Sequence, residues 1–324
     1  MLSSCRYGAM LGVLLAAVGA GIPSATAQQA DIRHRFLALD FWKGQLHYVD
    51  QFDAAKNWII PVGGGVQDMQ LIGSQQILIT RGDGWQVFSL ETRKKVAEHH
   101  LPELGGTVTA QRRADGTTLV GANRKEGVTI YELDAAGKIA RKMVIPRLGS
   151  LRLMRLTADG TLLLAENDGA TEVSIAPGLP DDKRILRRFK LPRSRNAYMS
   201  LKAADGTYWV AGGYSHALYQ YKADGTLLRT FEAEQPQGFV NWFYAGFQAL
   251  KNGHIVQANW TGHNQGDFKE GWKLVEFDAD GKVVWHWHVP REQAGTIQGV
   301  FVLDELDTSV LNDDAHWVLG PIAK

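Results

Sequence analysis

RRADGTTLVGAN, residues 112–123, is the stretch whose reading decides the fold. It places an Asp-Gly pair, Asp115-Gly116, ahead of a short apolar segment, and the same frame returns as LTADGTLLLAEN (156–167), KAADGTYWVAGG (202–213) and ALKNGHIVQANW (249–260). The turn glycines Gly116, Gly160, Gly206 and Gly253 stand 44, 46 and 47 residues apart. Asp-Gly and Asn-Gly supply the positive φ angles of tight hairpins, so two-residue hairpin loops are expected here. A second turn follows in three repeats: LDAAGKIARKMVIP (133–146), YKADGTLLRTFEAE (221–234) and FDADGKVVWHWHVP (277–290). Four strands at a period of roughly 40 to 50 residues is the signature of a β-propeller blade; the strands are termed a to d, counting outward from the axis.

Weaker copies occupy residues 69–102 and 36–62. The copy at 36–62 lacks an inner strand, and TIQGVFVLDELD (296–307) is an inner strand with nothing after it. Residues 296–304 therefore complete the sheet of residues 35–62, which closes a ring and hides two edges otherwise open to pairing. The expected fold is all-β, a six-bladed β-propeller closed by pairing of its N- and C-terminal strands over residues 28–304, with residues 305–324 as a tail outside the repeat. On this pattern, and on strands such as LVEFDADGKVVWHW (274–287), the chain resembles secreted bacterial six-bladed propellers of the NHL-like and PQQ-like repeat kind. That resemblance implies the frame and leaves the activity open, because one propeller frame carries many unrelated functions.

Residues 1–27 read as a cleavable export signal: Arg6, an apolar run at 9–22, then Ala25-Thr26-Ala27. The run is short for a membrane span, and no second such run follows, so no transmembrane segment is expected after cleavage. The expected location is the periplasm or outside the cell. The one cysteine, Cys5, lies within the signal, so the mature chain would hold no disulfide, thiolate nucleophile or c-type haem attachment. A formal charge of +1 gives no electrostatic case for nucleic acid.

The a–b and c–d turns are short and nearly interchangeable, whereas the b–c loops and the d–a links between blades vary in length and polarity. The b–c loops include GGYSH (212–216) and WTGHNQGDFKEG (260–271); the links include PRSRNAY (192–198) and EQPQGFVNWFY (234–244). Variable polar loops on a rigid frame are where function concentrates. Trp242, Tyr244, Trp260 and Asn264 suit a sugar ring or another flat organic ligand, with packing between blades as the alternative for the tryptophans. Arg81, Arg193, Arg195 and Arg291 suit an anionic group if they converge, and a solvated rim if they do not. His263 and His216 are the candidates for general acid–base chemistry. Asn123, Glu166, Asn167 and Asn259 fall at equivalent strand-b ends; such oxygens suit calcium, although Asn and Asp at strand ends more often form turns. Gluconolactonase-like propellers, which hold a metal with acid and amide groups, offer an architectural analogy. His286 and His288 share one strand face, but on an outer strand and without a third ligand. Two functions follow: a propeller binding a small polar or anionic ligand or an envelope protein, or a hydrolase, lactonase or group-transfer enzyme using His263 or His216.

Overall fold

A computed structural model describes residues 32–193 and 196–322. Six four-stranded antiparallel sheets form the ring. Blade 1 joins Ile297–Val302 as strand a to Arg35–Asp40, Gln45–Asp50 and Trp58–Pro61. Blades 2 to 6 follow in chain order, with inner strands Met69–Gly73, Thr107–Arg112, Met154–Leu156, Met199–Lys202 and Phe243–Ala249. Each of the five then runs outward through strands b, c and d. The middle strands are covered on both faces by neighbouring blades, so they read as apolar runs rather than alternations. Strand Ile255–Trp260 is buried at all positions, while the outermost strand Lys95–His100 alternates between exposed and half-buried.

The turns differ from the expected two-residue loops. Arg113 and Thr117 close a loop of three residues, with the Gly116 N–H donating to the Arg113 carbonyl at 3.0 Å. Only Gly116 takes positive φ, at 82°. Asp115 contributes through its carboxylate, which accepts the Thr117 N–H at 2.9 Å. Asp205, Asp224 and Asn252 do the same for Thr207, Thr226 and His254. The recurring Asp-Gly is thus one residue that caps the turn and one that adopts its left-handed corner.

Closure takes place at blade 1, where Phe36 faces Val302 and Leu37 faces Phe301 in antiparallel register. Phe36 is fully buried and meets the edges of Trp285 and Trp287 from blade 6, with ring centroids 5.9 and 5.2 Å away. Both tryptophans are core residues, as expected for strand d. Beside them His34 bonds Glu276 and Asp304, each at 2.8 Å. Burial opposes charge on His34, but the two carboxylates outweigh it and raise its pKa from 6.5 to about 9.

Residues 307–322 cross the mouth formed by the a–b turns. Ser74 and Gln75 of blade 2 donate backbone N–H groups to Ser309 and Thr308. The Ala158 N–H of blade 4 donates to Ala315, and Trp317 lies 5.4 Å from Trp209 of blade 5 and 6.4 Å from Phe247 of blade 6. Inside the axis the Arg155 guanidinium donates to both carboxylate oxygens of Asp68, at 2.8 and 2.9 Å, and to Asp314 of the tail at 3.0 Å. The channel between the strands a has about 20 Å³ of free space, room for roughly one water. One mouth is therefore covered by the chain itself.

Candidate functional site

The opposite mouth is built from the b–c loops and d–a links. Tyr198, where the chain enters blade 5, donates its hydroxyl to the Gln67 carbonyl of blade 2 at 2.9 Å, which puts its ring across the axis as a floor. A continuous run of rings stands beside it. Tyr198 meets Phe243 at 5.7 Å, Phe243 meets Trp260 at 5.5 Å, and Trp260 lies 6.1 Å from Phe41 of blade 1. In the other direction Tyr214 packs edge-on to Phe243 at 4.7 Å and lies 6.1 Å from Trp242. Phe243 and Trp260 are buried, while Phe41, Tyr214 and Trp242 are half-buried and show part of their surface at the mouth. Gly213 makes the approach of these loops possible: its φ is 55°, and a Cβ there would lie 1.9 Å from the Asn196 carbonyl oxygen.

The 260–271 loop is folded around one carboxylate. Asp267 accepts the backbone N–H groups of His263 and Asn264 at 2.8 and 2.9 Å, and its second oxygen lies 2.7 Å from Nδ1 of His263. Burial would raise the Asp267 pKa, but the imidazole and the two N–H groups outweigh it and hold the acid at about 2. An ionised partner at Nδ1 favours the tautomer that leaves Nε2 as an acceptor, and the His263 side chain is exposed, with Trp260 edge-on at 4.5 Å. The arrangement is an exposed imidazole held at Nδ1 by a carboxylate. His216 is half-buried 6.2 Å from Trp242; burial lowers its pKa, with Glu232 opposing and Arg193 adding to the shift.

Other expected residues have different tasks. Tyr244 is fully buried, and its hydroxyl accepts the Ala233 N–H at 3.0 Å, so its ring seals the core rather than lining the mouth. Asn264 is exposed and accepts the Gly266 N–H within its own loop. Of the expected calcium ligands Asn123, Glu166, Asn167 and Asn259, three have side chains that bond backbone groups. The Asn123 amide is bonded both ways to Leu151, and the Glu166 carboxylate accepts the Asp168 N–H. The Asn259 oxygen accepts from Trp242 and Phe243, while its nitrogen donates to Val240 and Trp272. Asn167 accepts the Asn196 N–H at its carbonyl. The strand-b ends thus tether the links, and among the described residues no three His, Cys, Asp or Glu side chains gather as a metal cluster. His286 stacks on Trp272 at 4.1 Å, and His288 bonds the Gly271 carbonyl and lies 3.3 Å from the Glu270 carboxylate.

The arginines do not converge. Arg81 sits by Asp83 and Glu98, Arg193 pairs with Glu232, and Arg291 lies 3.2 Å from Glu292. Arg195 and residues 1–27 lie outside the described residues. Sequence reasoning passed over Phe41, Tyr214, Asp267, Lys269 and Arg152. Asp267, four residues after His263 in a polar loop, was the legible one; Lys269, whose ammonium lies 5.4 Å from the Trp242 ring centroid, depends on how the loop folds back.

Two open grooves of about 570 Å³ flank the stacked Tyr48–Trp58 pair on the outer wall of blade 1. They lack the joined loops and the His263–Asp267 pair of the mouth. Among the described residues no helix is long and apolar enough to cross a membrane.

No protein-family model and no curated protein sequence matches the chain. Solved structures do match its fold. A protein of unknown function from Bacteroides caccae superposes with a TM-score of 0.65 at 21% identity, over 83% of this chain and 98% of its own. A streptogramin B lyase gives 0.54 at 14% identity, over 81% and 85% of the two chains. A catalytically inactive histidine-to-alanine form of virginiamycin B lyase from Staphylococcus aureus, solved with Quinupristin, gives 0.52 at 14% identity over 82% and 86%. The likeness is one of fold, a six-bladed propeller.

Proposed function

We propose that the variable mouth binds a small organic ligand with a flat face and polar or anionic substituents, in an exported protein of the cell envelope. The observation that carries this reading is the continuous ledge from Phe41 through Trp260, Phe243 and Tyr214 to Trp242, with the His263–Asp267 pair beside its Phe41–Trp260 end. Rings offer a face for stacking, and a few fixed polar groups beside them set orientation. The export signal read at residues 6–27 supports the location, and a carbohydrate remains within the ligand class. The test is a thermal-shift and tryptophan-fluorescence screen against sugars, lactones and aromatic acids. A ligand that shifts the wild type should lose about tenfold in affinity with Trp242→Ala, in line with the ~1–3 kcal/mol of stacking on one ring. Undiminished binding by that variant contradicts the assignment.

A second reading, catalysis at the same mouth, is favoured by the His263–Asp267 geometry. There His263 would remove a proton at Nε2 while Asp267 holds the ring and stabilises the imidazolium, as a hydrolase, lactonase or group-transfer enzyme requires. The inactive histidine-to-alanine lyase shows that a propeller of similar fold relies on a histidine in that protein. His263→Ala should then abolish turnover of a substrate found in the screen and leave melting unchanged, since the side chain is exposed. Retained turnover rejects the base.

A further inference from the structure

The link at the floor of the variable mouth carries a cation with no counter-ion among the described residues. Arg152 lies on the link into blade 4, where its N–H donates to the Ala165 carbonyl at 2.8 Å. Its side chain is half-buried, and its Nε is buried with no hydrogen-bond partner. Among the described residues no carboxylate lies within ion-pair distance of it, in contrast to Arg81, Arg193 and Arg291 on the rim. Arg152 acts electrostatically on the phenols of Tyr198, the floor across the axis, and of Tyr214, which also feels Asp267. The next residue, Leu153, donates its N–H to the Tyr198 carbonyl at 3.0 Å, which sets the Arg152 link against that floor. The Tyr198 hydroxyl is already engaged by the Gln67 carbonyl.

Burying part of a guanidinium without an anion is costly, and the cost is relieved when a ligand supplies the charge. Arginine in particular presents a planar fork that matches the oxygens of carboxylate, sulfate or phosphate. We propose that Arg152 anchors an anionic group of the ligand, a carboxylate, sulfate or phosphate monoester, on the floor of the variable mouth, with the ligand's flat portion on the aromatic ledge. This rests on the reading of that mouth as a ligand site, and it narrows the ligand to a small organic anion. An anion seated there would place the rest of the ligand on the side of Tyr214 that faces Asp267 and His263.

The test uses phenyl phosphate and benzoate as anionic probes and benzyl alcohol as the neutral one, titrated calorimetrically into the wild type, Arg152→Gln and Arg152→Lys at low and moderate salt. The expected result is tighter binding of phenyl phosphate than of benzyl alcohol to the wild type. Arg152→Gln should lose about tenfold for the anions and nothing for the alcohol, with Arg152→Lys between the two. Inorganic phosphate should displace phenyl phosphate from the wild type, a measurement that holds even if a variant folds poorly. Equal affinities for anionic and neutral probes, or unchanged anion binding by Arg152→Gln, overturn the anion anchor while the ligand mouth stands. Failure of phosphate to compete also overturns it. Absence of binding by every probe overturns the anchor and the mouth together.

Discussion

The two mouths of the ring differ most clearly in two arginines of one blade. Arg155 reaches into the axis and finds Asp68 on one side and Asp314 of the tail on the other, at 2.8 and 3.0 Å. Arg152, three residues earlier on the link, is half-buried and finds no acid among the described residues. The first arrangement is complete within the chain, and the tail's rings and backbone bonds complete the mouth around it. The second is incomplete, and it sits where the loops are longest and the rings show their surface. A closed charge network fixes a structure; the open one is where the proposed ligand would supply the missing charge.

The largest expected effect is on the closed side. Asp68→Ala leaves Arg155 buried with only Asp314, and should destabilise the protein by about 3–5 kcal/mol in chemical denaturation. A variant as stable as the wild type would mean that the axial network does not hold the ring. The second effect is a pH dependence at the closing blade. His34 has its pKa raised from 6.5 to about 9 by Glu276 and Asp304 against the opposing pull of burial. A raised histidine stabilises fully below its unfolded pKa and loses that contribution as pH rises through the folded value. Stability should therefore fall by about 2–3 kcal/mol between roughly pH 6.5 and 9, and His34→Gln should flatten the profile in that window. A profile shared by wild type and variant would remove His34 from the closure. The smallest effect belongs to the open side. Arg152→Gln removes no ion pair and should change stability by less than about 1 kcal/mol, in either direction. A loss as large as that of Asp68→Ala would show that Arg152 has a structural partner after all, and would erase the contrast between the mouths.

Much of the frame was legible because its signals are local. Asp115-Gly116 and its copies mark turns within a few residues, and the strand at 297–302 declares itself by having no successors. The mechanism of the turn was less legible: the carboxylate of Asp115 caps Thr117, a bond that composition alone does not distinguish from a positive φ at aspartate. The site was legible as a face and only partly as residues. Trp260 and His263 touch and Trp242 joins them through Tyr214 and Phe243, but Tyr244, two residues beyond Trp242, is enclosed by the core. Arg152 and Arg155 look alike in LRLMRL because their difference is set at a distance. Asp68 and Asp314 stand 87 and 159 residues from Arg155 along the chain, and no local pattern says which arginine they meet. The asparagines at the strand-b ends illustrate the same limit, since the backbone groups that engage Asn123 and Asn259 arrive from links between blades.

Hydrogen–deuterium exchange of the chain with and without saturating phenyl phosphate tests the division of labour between the mouths most directly. Protection is expected in the segments 149–153, 212–217, 240–244 and 260–269, and none in the tail at 307–322. Protection confined to the tail or to the outer wall of blade 1, with the variable loops unchanged, would contradict it.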